Sequence, residues 1–340
     1  MSKDQILAYW IKSLDLVGLK PEVKDIYIRY ITPLINNDVP IIFDFKHLHL
    51  LLGRSPKYLS SVINANDNHY RTFTIPKKKG GHREITAPYP ALMECQYWIY
   101  HNILTKIKVH PAAHGFTSDK SIITNSSFHI EQQQFLKIDI KDFFPSIKLP
   151  KIISVFRKLG YSHKVSFYLA KICSYNDALP QGAPTSPALS NIIVKQLDKR
   201  LLLFAKKLNL RYTRYADDLA FSGTHIHPKF INYISKIIKD FDLTINQQKT
   251  ILQCSRGKRI LTGISIADKK LKIPKSYKRK LRQEVHFIRK YGLSSHIRKL
   301  KIRHPNYLQS VIGKLGFWLD VEPDSTYPKK ALIDLKDLQF

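Results

Sequence analysis

The most informative stretch of the sequence for the fold is residues 211–222, Arg-Tyr-Thr-Arg-Tyr-Ala-Asp-Asp-Leu-Ala-Phe-Ser. Strong β-forming residues lie on both sides of the two acids, so the pattern predicts two short strands around a tight turn. Asp217 and Asp218 would then be neighbours in a hairpin, where two carboxylates repel unless solvent or a cation lies between them. An ordinary solvated turn stays open as the alternative, because Asp is a common turn residue.

A third acid lies at the end of another predicted strand. Residues 135–140 read Phe-Leu-Lys-Ile-Asp-Ile, a β-type run that ends or nearly ends at Asp139. A strand-end carboxylate beside a carboxylate hairpin can bind two divalent ions, which stabilise the attacking and leaving oxygens in phosphoryl transfer. Mg²⁺ prefers such oxygen ligands and shares them with substrate phosphates. We therefore predict that Asp139, Asp217 and Asp218 are catalytic and hold two Mg²⁺ ions.

The charge balance indicates a polyanionic partner. The 340 residues include 56 Lys and Arg against 26 Asp and Glu, a formal net charge of +30. Nucleic acid is the first candidate, because phosphate contacts dominate its affinity, and an anionic membrane surface is the second. We expect no membrane span, because no apolar run reaches about 18 residues. Residues 1–10 lack the basic and apolar pattern of a secretory signal, so we expect none. The three scattered cysteines form neither a zinc spacing nor a disulfide framework, so we expect a reducing cytoplasm.

Periodicity predicts a mixed helical and β chain. Helical patterns cover 2–16, 45–64, 92–107, 150–173, 186–208 and 230–241, and β patterns cover 72–76, 84–86, 135–140, 211–222 and 260–266. The 45–64 region is open to two interpretations, a helix-turn-helix or a packing segment that braces the next domain. Residues 269–303 hold 14 Lys or Arg and one acid, and an apolar stripe from Tyr307 to Trp318 follows. This tail is predicted to be a separate basic, mostly helical lobe.

Five blocks of the sequence form an ordered series of motifs. They extend over about 130 residues, which makes the series far more specific than any single block. The blocks are Lys137–Ser146, Leu179–Pro187, Tyr215–Asp218, Leu243–Thr250 and Ile260–Gly263. The chain thus resembles the reverse transcriptase family from about residue 70 onward. The resemblance implies an RNA-directed DNA polymerase, a nucleotidyltransferase that consumes dNTPs.

The same resemblance implies a fold and a domain order. The expected fold class is α/β (α+β), a right-hand polymerase whose antiparallel palm sheet carries the catalytic hairpin. The expected domains are a helical N-terminal extension at 1–69, fingers at 70–134, a palm at 135–266 with a fingers insertion at about 150–180, and a basic helical thumb at 267–340.

The resemblance also implies roles for side chains around the three aspartates. The Phe144 ring would lie under the sugar and leave no space for a 2′-hydroxyl, unless Phe144 is an ordinary core residue. The expected nucleotide-binding residues are Arg83, Lys78, Asp142, Phe144, Gln181 and Lys249, and the expected nucleic-acid-binding residues are Tyr215, Lys278, Arg279 and Arg282. A solvated basic hairpin is the alternative for Arg83 and Lys78. Lys249 is either a proton donor to pyrophosphate or a surface lysine.

Within the family, the sequence is most similar to the bacterial retron type. The similarity rests on residues 142–146, 179–187 and 212–219, and two marker segments of the type are altered here. Leu261-Thr262-Gly263 stands where Val-Thr-Gly is typical, and Asn125-Ser126-Ser127-Phe128-His129 stands where Asn-Ala-x-x-His is typical. The retron type implies a cognate non-coding RNA, a branched RNA-linked DNA product and antiphage defence. It often implies an effector or toxin protein in a shared assembly, and it implies no membrane partner.

Three other functions stay open from the sequence. One is a different defence-associated reverse transcriptase that makes no branched product. Another is a polymerase-shaped RNA-binding module without catalysis, although such a module has no need to keep three costly carboxylates together. The last is a plain basic protein of nucleic acid or membrane surfaces, which leaves Asp139, Asp217 and Asp218 unexplained.

Overall fold

The computed structural model describes residues 2–77, 80–253, 259–267 and 269–336. Its helices are α1 (Lys3–Leu16), α2 (Pro21–Asn36), α3 (Phe45–Leu51), α4 (Pro56–Asn64), α5 (Pro90–Asn102), α6 (Ile122–Ser127), α7 (Leu149–Leu159), α8 (His163–Ile172), α9 (Ser186–Ile193), α10 (Lys195–Lys207), α11 (Lys229–Lys239), α12 (Lys275–Tyr291), α13 (Leu293–Lys299), α14 (Tyr307–Val321) and α15 (Thr326–Lys336). Its strands are β1 (Tyr70–Pro76), β2 (His82–Pro88), β3 (Gln134–Ile140), β4 (Arg211–Tyr215), β5 (Asp218–Gly223), β6 (Ile245–Gln253), β7 (Ile260–Leu261) and β8 (Ile264–Ser265).

A four-stranded antiparallel sheet with the order β4-β5-β3-β6 lies at the centre of the chain. On the inner strand β3, Leu136, Ile138 and Ile140 face one side and are buried in a cluster with the helices. Phe135 is buried on the other side, in a cluster with Leu261 and Ile266. The predicted strands at 135–140 and 211–222 are therefore confirmed. Their pairing brings the end of β3 beside the hairpin formed by β4 and β5.

Two further hairpins lie outside the central sheet. β1 and β2 pair from Tyr70 opposite Pro88 to Pro76 opposite His82, which confirms the β patterns predicted at 72–76 and 84–86. The single strand predicted over 260–266 is wrong, since β7 and β8 are two short strands joined by a turn at Thr262 and Gly263. Both turn residues have positive φ, which reverses the chain within a segment whose apolar residues suggested one strand.

One hydrophobic cluster joins the N-terminal helices to the central sheet, with buried members from Leu34 to Leu243. Leu59, Val62 and Ile63 on α4 belong to it, so the 45–64 region packs as a bracing segment. Asn64 ends α4, and Ser55 begins it by accepting a hydrogen bond from the Tyr58 backbone N–H at 3.2 Å.

A second hydrophobic cluster, called the tail cluster below, holds the C-terminal helices together. Its buried members run from Ile264 to Leu335, and its centre includes Val311, Leu315 and Trp318 on α14. The apolar stripe predicted for the tail is thus confirmed as the buried face of α14. Among the described residues, none of the helices combines the length and apolar character that crossing a bilayer requires.

Candidate active site

The hairpin that the sequence predicts to be catalytic, called the catalytic hairpin below, consists of β4, β5 and the two-residue turn between them. Tyr215 pairs with Asp218, which leaves Ala216 and Asp217 in the turn. Ala216 has a φ of 55°, a conformation that costs an alanine energy and that glycine usually supplies. Gly115 packs directly against this turn, because a Cβ at residue 115 would lie 2.8 Å from the Ala216 backbone nitrogen. The turn is held in a strained shape by the structure around it.

The sheet register brings Asp139 next to this hairpin. Asp139 on β3 lies opposite Asp218 on β5, and the Ile140 backbone N–H donates to the Asp217 carbonyl at 2.9 Å. Burial, followed by repulsion from Asp218, raises the pKa of Asp217 above its ordinary value. Burial also raises the pKa of Asp218, although the Lys137 ammonium partly opposes that rise. The three acids therefore form a local concentration of negative charge in a strongly basic chain.

Two lysines compensate part of that charge. Lys249 Nζ lies 3.0 Å and 3.1 Å from the two carboxylate oxygens of Asp139, and Lys137 Nζ lies 2.8 Å from Asp218 Oδ2. Lys137 was not predicted from the sequence. Strand alternation could have indicated it, because residues 137 and 139 of one strand face the same side of the sheet.

The donor chemistry of the site suits divalent cations, although the carboxylates are not gathered into a ready-made set. Within the described ranges no three His, Cys, Asp or Glu side chains come close enough together to hold a metal ion. Instead, Asp139 and Asp218 are engaged by the lysine cations just described. Asp carboxylates are hard oxygen ligands of the kind that Mg²⁺ takes in phosphate-handling sites. A divalent ion would therefore have to replace the lysine contacts.

A buried ion pair between β4 and α10 supports the catalytic hairpin. Arg214 on β4 is fully buried and donates to both carboxylate oxygens of Asp198 on α10, at 2.8 Å and 2.7 Å. Its Nη1 also donates to Asn191 Oδ1 at 2.9 Å and to the Ala216 carbonyl at 3.1 Å. Burial opposes the charge of Arg214, but attraction to Asp198 leaves the pKa of Arg214 raised. Neither Asp198 nor Asn191 was predicted from the sequence.

Phe143 is a core residue, whereas Phe144 is half-buried. The Phe144 ring centroid lies 5.4 Å from that of Phe143 and 6.5 Å from that of Phe116. The ring centroid of Phe116 in turn lies 6.3 Å from that of Tyr215 on the catalytic hairpin. Phe144 thus belongs to an aromatic group that reaches the catalytic hairpin. Asp142 is exposed and has a φ of 45°.

The loop that contains Gln181 packs against the β1–β2 hairpin. The Thr86 backbone N–H donates to the Gln181 carbonyl at 2.9 Å. A Cβ at Gly182 would lie 2.9 Å from both the Thr86 carbonyl oxygen and an Ile85 methyl group, so only glycine allows this approach. Arg83 is exposed on the same strand β2. Lys78 lies outside the described residues.

The tail side chains that are predicted to contact nucleic acid differ in how far contacts within the protein already occupy them. Lys278 Nζ bonds Glu322 at 2.6 Å and lies 5.0 Å from the centre of the Trp318 ring, so internal contacts occupy it. Arg282 is exposed but also lies over the Trp318 and Tyr327 rings, at 5.4 Å and 5.0 Å. Arg279 is exposed on the same helix. The open cationic surface of α12 is therefore carried more by the arginines than by Lys278.

Comparison with known proteins identifies the family. The model of the family described as reverse transcriptase (RNA-dependent DNA polymerase) matches residues 75–304. The Retron Ec86 reverse transcriptase of Escherichia coli is 36% identical over 294 residues, which cover 85% of this chain and 88% of that protein. The Retron Ec73 reverse transcriptase of Escherichia coli is 33% identical and matches 78% of this chain and 88% of its own length. The Retron Mx162 reverse transcriptase of Myxococcus xanthus is also 33% identical, over 64% of this chain and 52% of its own length.

These matches confirm the predicted polymerase fold of mixed helix and sheet, and they imply that the chain binds an RNA template and a DNA product. Enzymes of this family generally use divalent metal ions. The chain belongs to the reverse transcriptase family of RNA-directed DNA polymerases and, within it, to the retron type.

Proposed function

We propose that this chain copies a cognate structured non-coding RNA into single-stranded DNA that stays joined to the RNA by a branch. The assembly of Asp139, Asp217 and Asp218 at adjoining ends of β3 and the catalytic hairpin carries the polymerase part of this proposal. The similarity of the chain to retron reverse transcriptases supports the branched product. We place the reaction in the cytoplasm and assign it to antiphage defence, together with an effector protein.

The three aspartates are proposed to hold two Mg²⁺ ions. When bound, the ions would lower the pKa of the primer hydroxyl and neutralise charge that develops on the triphosphate. Lys249 is proposed to give a proton to pyrophosphate once the ions displace its ammonium from Asp139, and its contact with Asp139 supports this role. Before the ions bind, Lys137 is proposed to favour the ionised form of Asp218, because its ammonium opposes the rise in the pKa of that carboxyl.

Other contacts of substrate and template are assigned by position. Arg83, Lys78, Asp142 and Gln181 are proposed to contact the incoming nucleotide, and Tyr215, Lys278, Arg279 and Arg282 the nucleic acid. The division into an extension at 1–69, fingers at 70–134, a palm at 135–266 and a thumb at 267–340 is part of the same proposal. The tail cluster supports it, because α12, which carries the arginines, has its own core there.

The product tests the retron type. Cells that express the chain with its flanking DNA should accumulate one discrete single-stranded DNA whose mobility shifts after RNase treatment and again after debranching. A 2′–5′ linkage accounts for the second shift, because RNase leaves the branch nucleotide attached to the DNA. A linear product that debranching does not alter would instead show a defence-associated reverse transcriptase of another kind.

Substitution of Phe144 tests the choice of deoxynucleotides. Phe144→Val should raise the ratio of ribonucleotide to deoxynucleotide incorporation by about tenfold or more, because the smaller side chain leaves space for a 2′-hydroxyl. Clashes and lost packing of this size are typically worth about 1–3 kcal/mol. Single-nucleotide extension of a primed RNA with each nucleotide gives the two values of kcat/KM. Phe116→Val, which changes a neighbouring ring of the same group, is the matched control and should leave the ratio unchanged.

A further inference from the structure

The segment 122–129, called the α6 strut below, lies between the catalytic hairpin and the β7–β8 hairpin. It comprises α6 and the residues that lead to His129, and it includes one of the two altered retron markers. Asn125, Ser126 and His129 are buried, at 0%, 0% and 1% exposure. Polar side chains this deeply buried need partners, and the partners define what the strut does.

One side of the strut is bonded to both strands of the catalytic hairpin. His129 Nε2 lies 2.7 Å from Thr213 Oγ1 on β4, and His129 Nδ1 lies 2.7 Å from Ser222 Oγ on β5. Thr213 donates its hydroxyl hydrogen to Asn125 Oδ1 at 2.6 Å, so it must accept from His129 Nε2–H. Ser222 therefore donates to His129 Nδ1. Burial lowers the pKa of His129 to about 3, which keeps this ring neutral. The hydrogen bonds therefore all run in the same direction, from Ser222 through His129 and Thr213 to Asn125.

The other side of the strut contacts the β7–β8 hairpin, which holds the second altered marker. Ser126 Oγ donates to the Leu261 carbonyl at 3.2 Å and lies 3.4 Å from Thr262 Oγ1. Thr262 has a φ of 47°, which is a strained conformation for a β-branched residue. Ser126 stands where the retron type has Ala, and its hydroxyl bonds the backbone carbonyl of Leu261, the residue that stands where Val is typical.

The strut also has an apolar connection to the C-terminal part of the chain. Ile122 and Ile123 pack against the tail cluster, of which Ile264 on β8 is a fully buried member. The α6 strut thus contacts the tail cluster through the first turn of α6, and it contacts the catalytic hairpin through Asn125 and His129. A shift of the tail cluster would therefore be transmitted to the catalytic hairpin, because close-packed side chains have little free volume to absorb it.

We propose that the α6 strut sets the position of the catalytic hairpin relative to the tail cluster, with Asn125, Thr213 and His129 as positioning residues and the Ser126–Leu261 contact as its anchor. The inference rests on the proposed polymerase function. It gives the altered markers a physical role, because the contact between their segments connects the tail cluster, which we propose to bind a duplex, to the turn that carries Asp217. Neither marker touches the reacting atoms in this assignment.

Two hydroxyl deletions, one at each side of the strut, test the proposal in the full-length chain. Thr213→Val keeps the side-chain shape and removes the bonds to His129 and Asn125, and Ser126→Ala removes the anchor. We expect Thr213→Val to lower kcat for dNTP addition to a primed RNA about tenfold and Ser126→Ala about threefold, the effects of one or two lost hydrogen bonds. KM for the dNTP should stay within about twofold, because the nucleotide contacts are not altered.

The double variant and a rescue distinguish positioning from general damage. Ser126→Ala combined with Thr213→Val should be no slower than Thr213→Val alone, because the anchor acts only through the hairpin contact. Thr213→Ser, which keeps the hydroxyl, should restore most of kcat. Thr105→Val is the matched control, since Thr105 donates to a carbonyl at 2.8 Å on an exposed helix end, and it should have wild-type kcat.

Several results would overturn the inference. They are a wild-type kcat in Ser126→Ala, multiplied effects in the double variant, or a raised KM in place of a lowered kcat. If Thr213→Val fails to fold, Ser126→Ala alone decides, because it removes one hydroxyl and no apolar contact. Failure of the proposed function would look different, since the wild-type chain itself would then add no dNTP to the primer.

Discussion

Asp217→Asn should reduce dNTP incorporation on a primed RNA by roughly 1000-fold or more. The change removes one negative charge and one hard oxygen ligand from the group formed by Asp139, Asp217 and Asp218. Loss of a residue that only supports a metal ligand typically costs 10- to 100-fold, so loss of a ligand itself should exceed about 100-fold. Extension of a labelled primer with Mg²⁺ and dNTPs measures the effect.

The inactive variant should still be folded. The pKa of Asp217 is raised by burial and by Asp218, so its ionised form destabilises the folded state above the ordinary pKa of an aspartate. A neutral amide removes that cost at neutral pH, and the melting temperature of Asp217→Asn should equal or exceed that of the wild type. Asp177→Asn is the matched control, because Asp177 is an exposed acid that pairs with Lys171 at 3.0 Å. Full activity in Asp217→Asn would remove this residue from the proposed metal site.

Arg214→Met should destabilise the folded chain by about 3–5 kcal/mol. The substitution leaves the Asp198 carboxylate buried without its cation, and breaking one partner of a buried pair has a cost of this size. Arg200→Met is the matched control, because Arg200 pairs with Asp240 at 2.9 Å while both side chains are about half exposed. The exposed pair should contribute about 0–1 kcal/mol. Chemical denaturation followed by circular dichroism compares the two variants, and equal losses would contradict the structural role of the buried pair.

Arg214→Lys separates stability from the shape of the catalytic turn. A lysine keeps the positive charge near Asp198 but cannot reach Asp198, Asn191 and the Ala216 carbonyl together with one ammonium group. The strained Ala216 would then lose its hydrogen bond from residue 214. We expect a folded protein whose kcat is lowered about 10- to 100-fold, which is the size of effect that misplaced groups have in active sites. Wild-type kcat in a folded Arg214→Lys would show that the turn holds its shape without this bond.

Features that depend on local pattern and on order along the chain were predictable from the residues alone. Alternation and turn chemistry placed the hairpin at 211–222 and the strand that ends near Asp139. The order of five motif blocks indicated the family, because that order is one-dimensional information which folding does not alter. The basic tail and the apolar stripe of α14 were visible for the same reason, since composition and a 3.6-residue period are local properties. The assignments of Phe144, Gln181 and the tail arginines remain predictions.

The side chains that support the three aspartates could not be predicted, because they come together only when the chain folds. Asp198 lies 16 residues from Arg214 and Ser126 lies 135 residues from Leu261, so no local pattern connects the members of either pair. Lys137 reaches Asp218 because two antiparallel strands meet in one register, which depends on packing across the sheet. The turn at Thr262 likewise overrides an apolar run that suggested one strand, because its contacts with the α6 strut hold a backbone conformation that threonine does not favour alone.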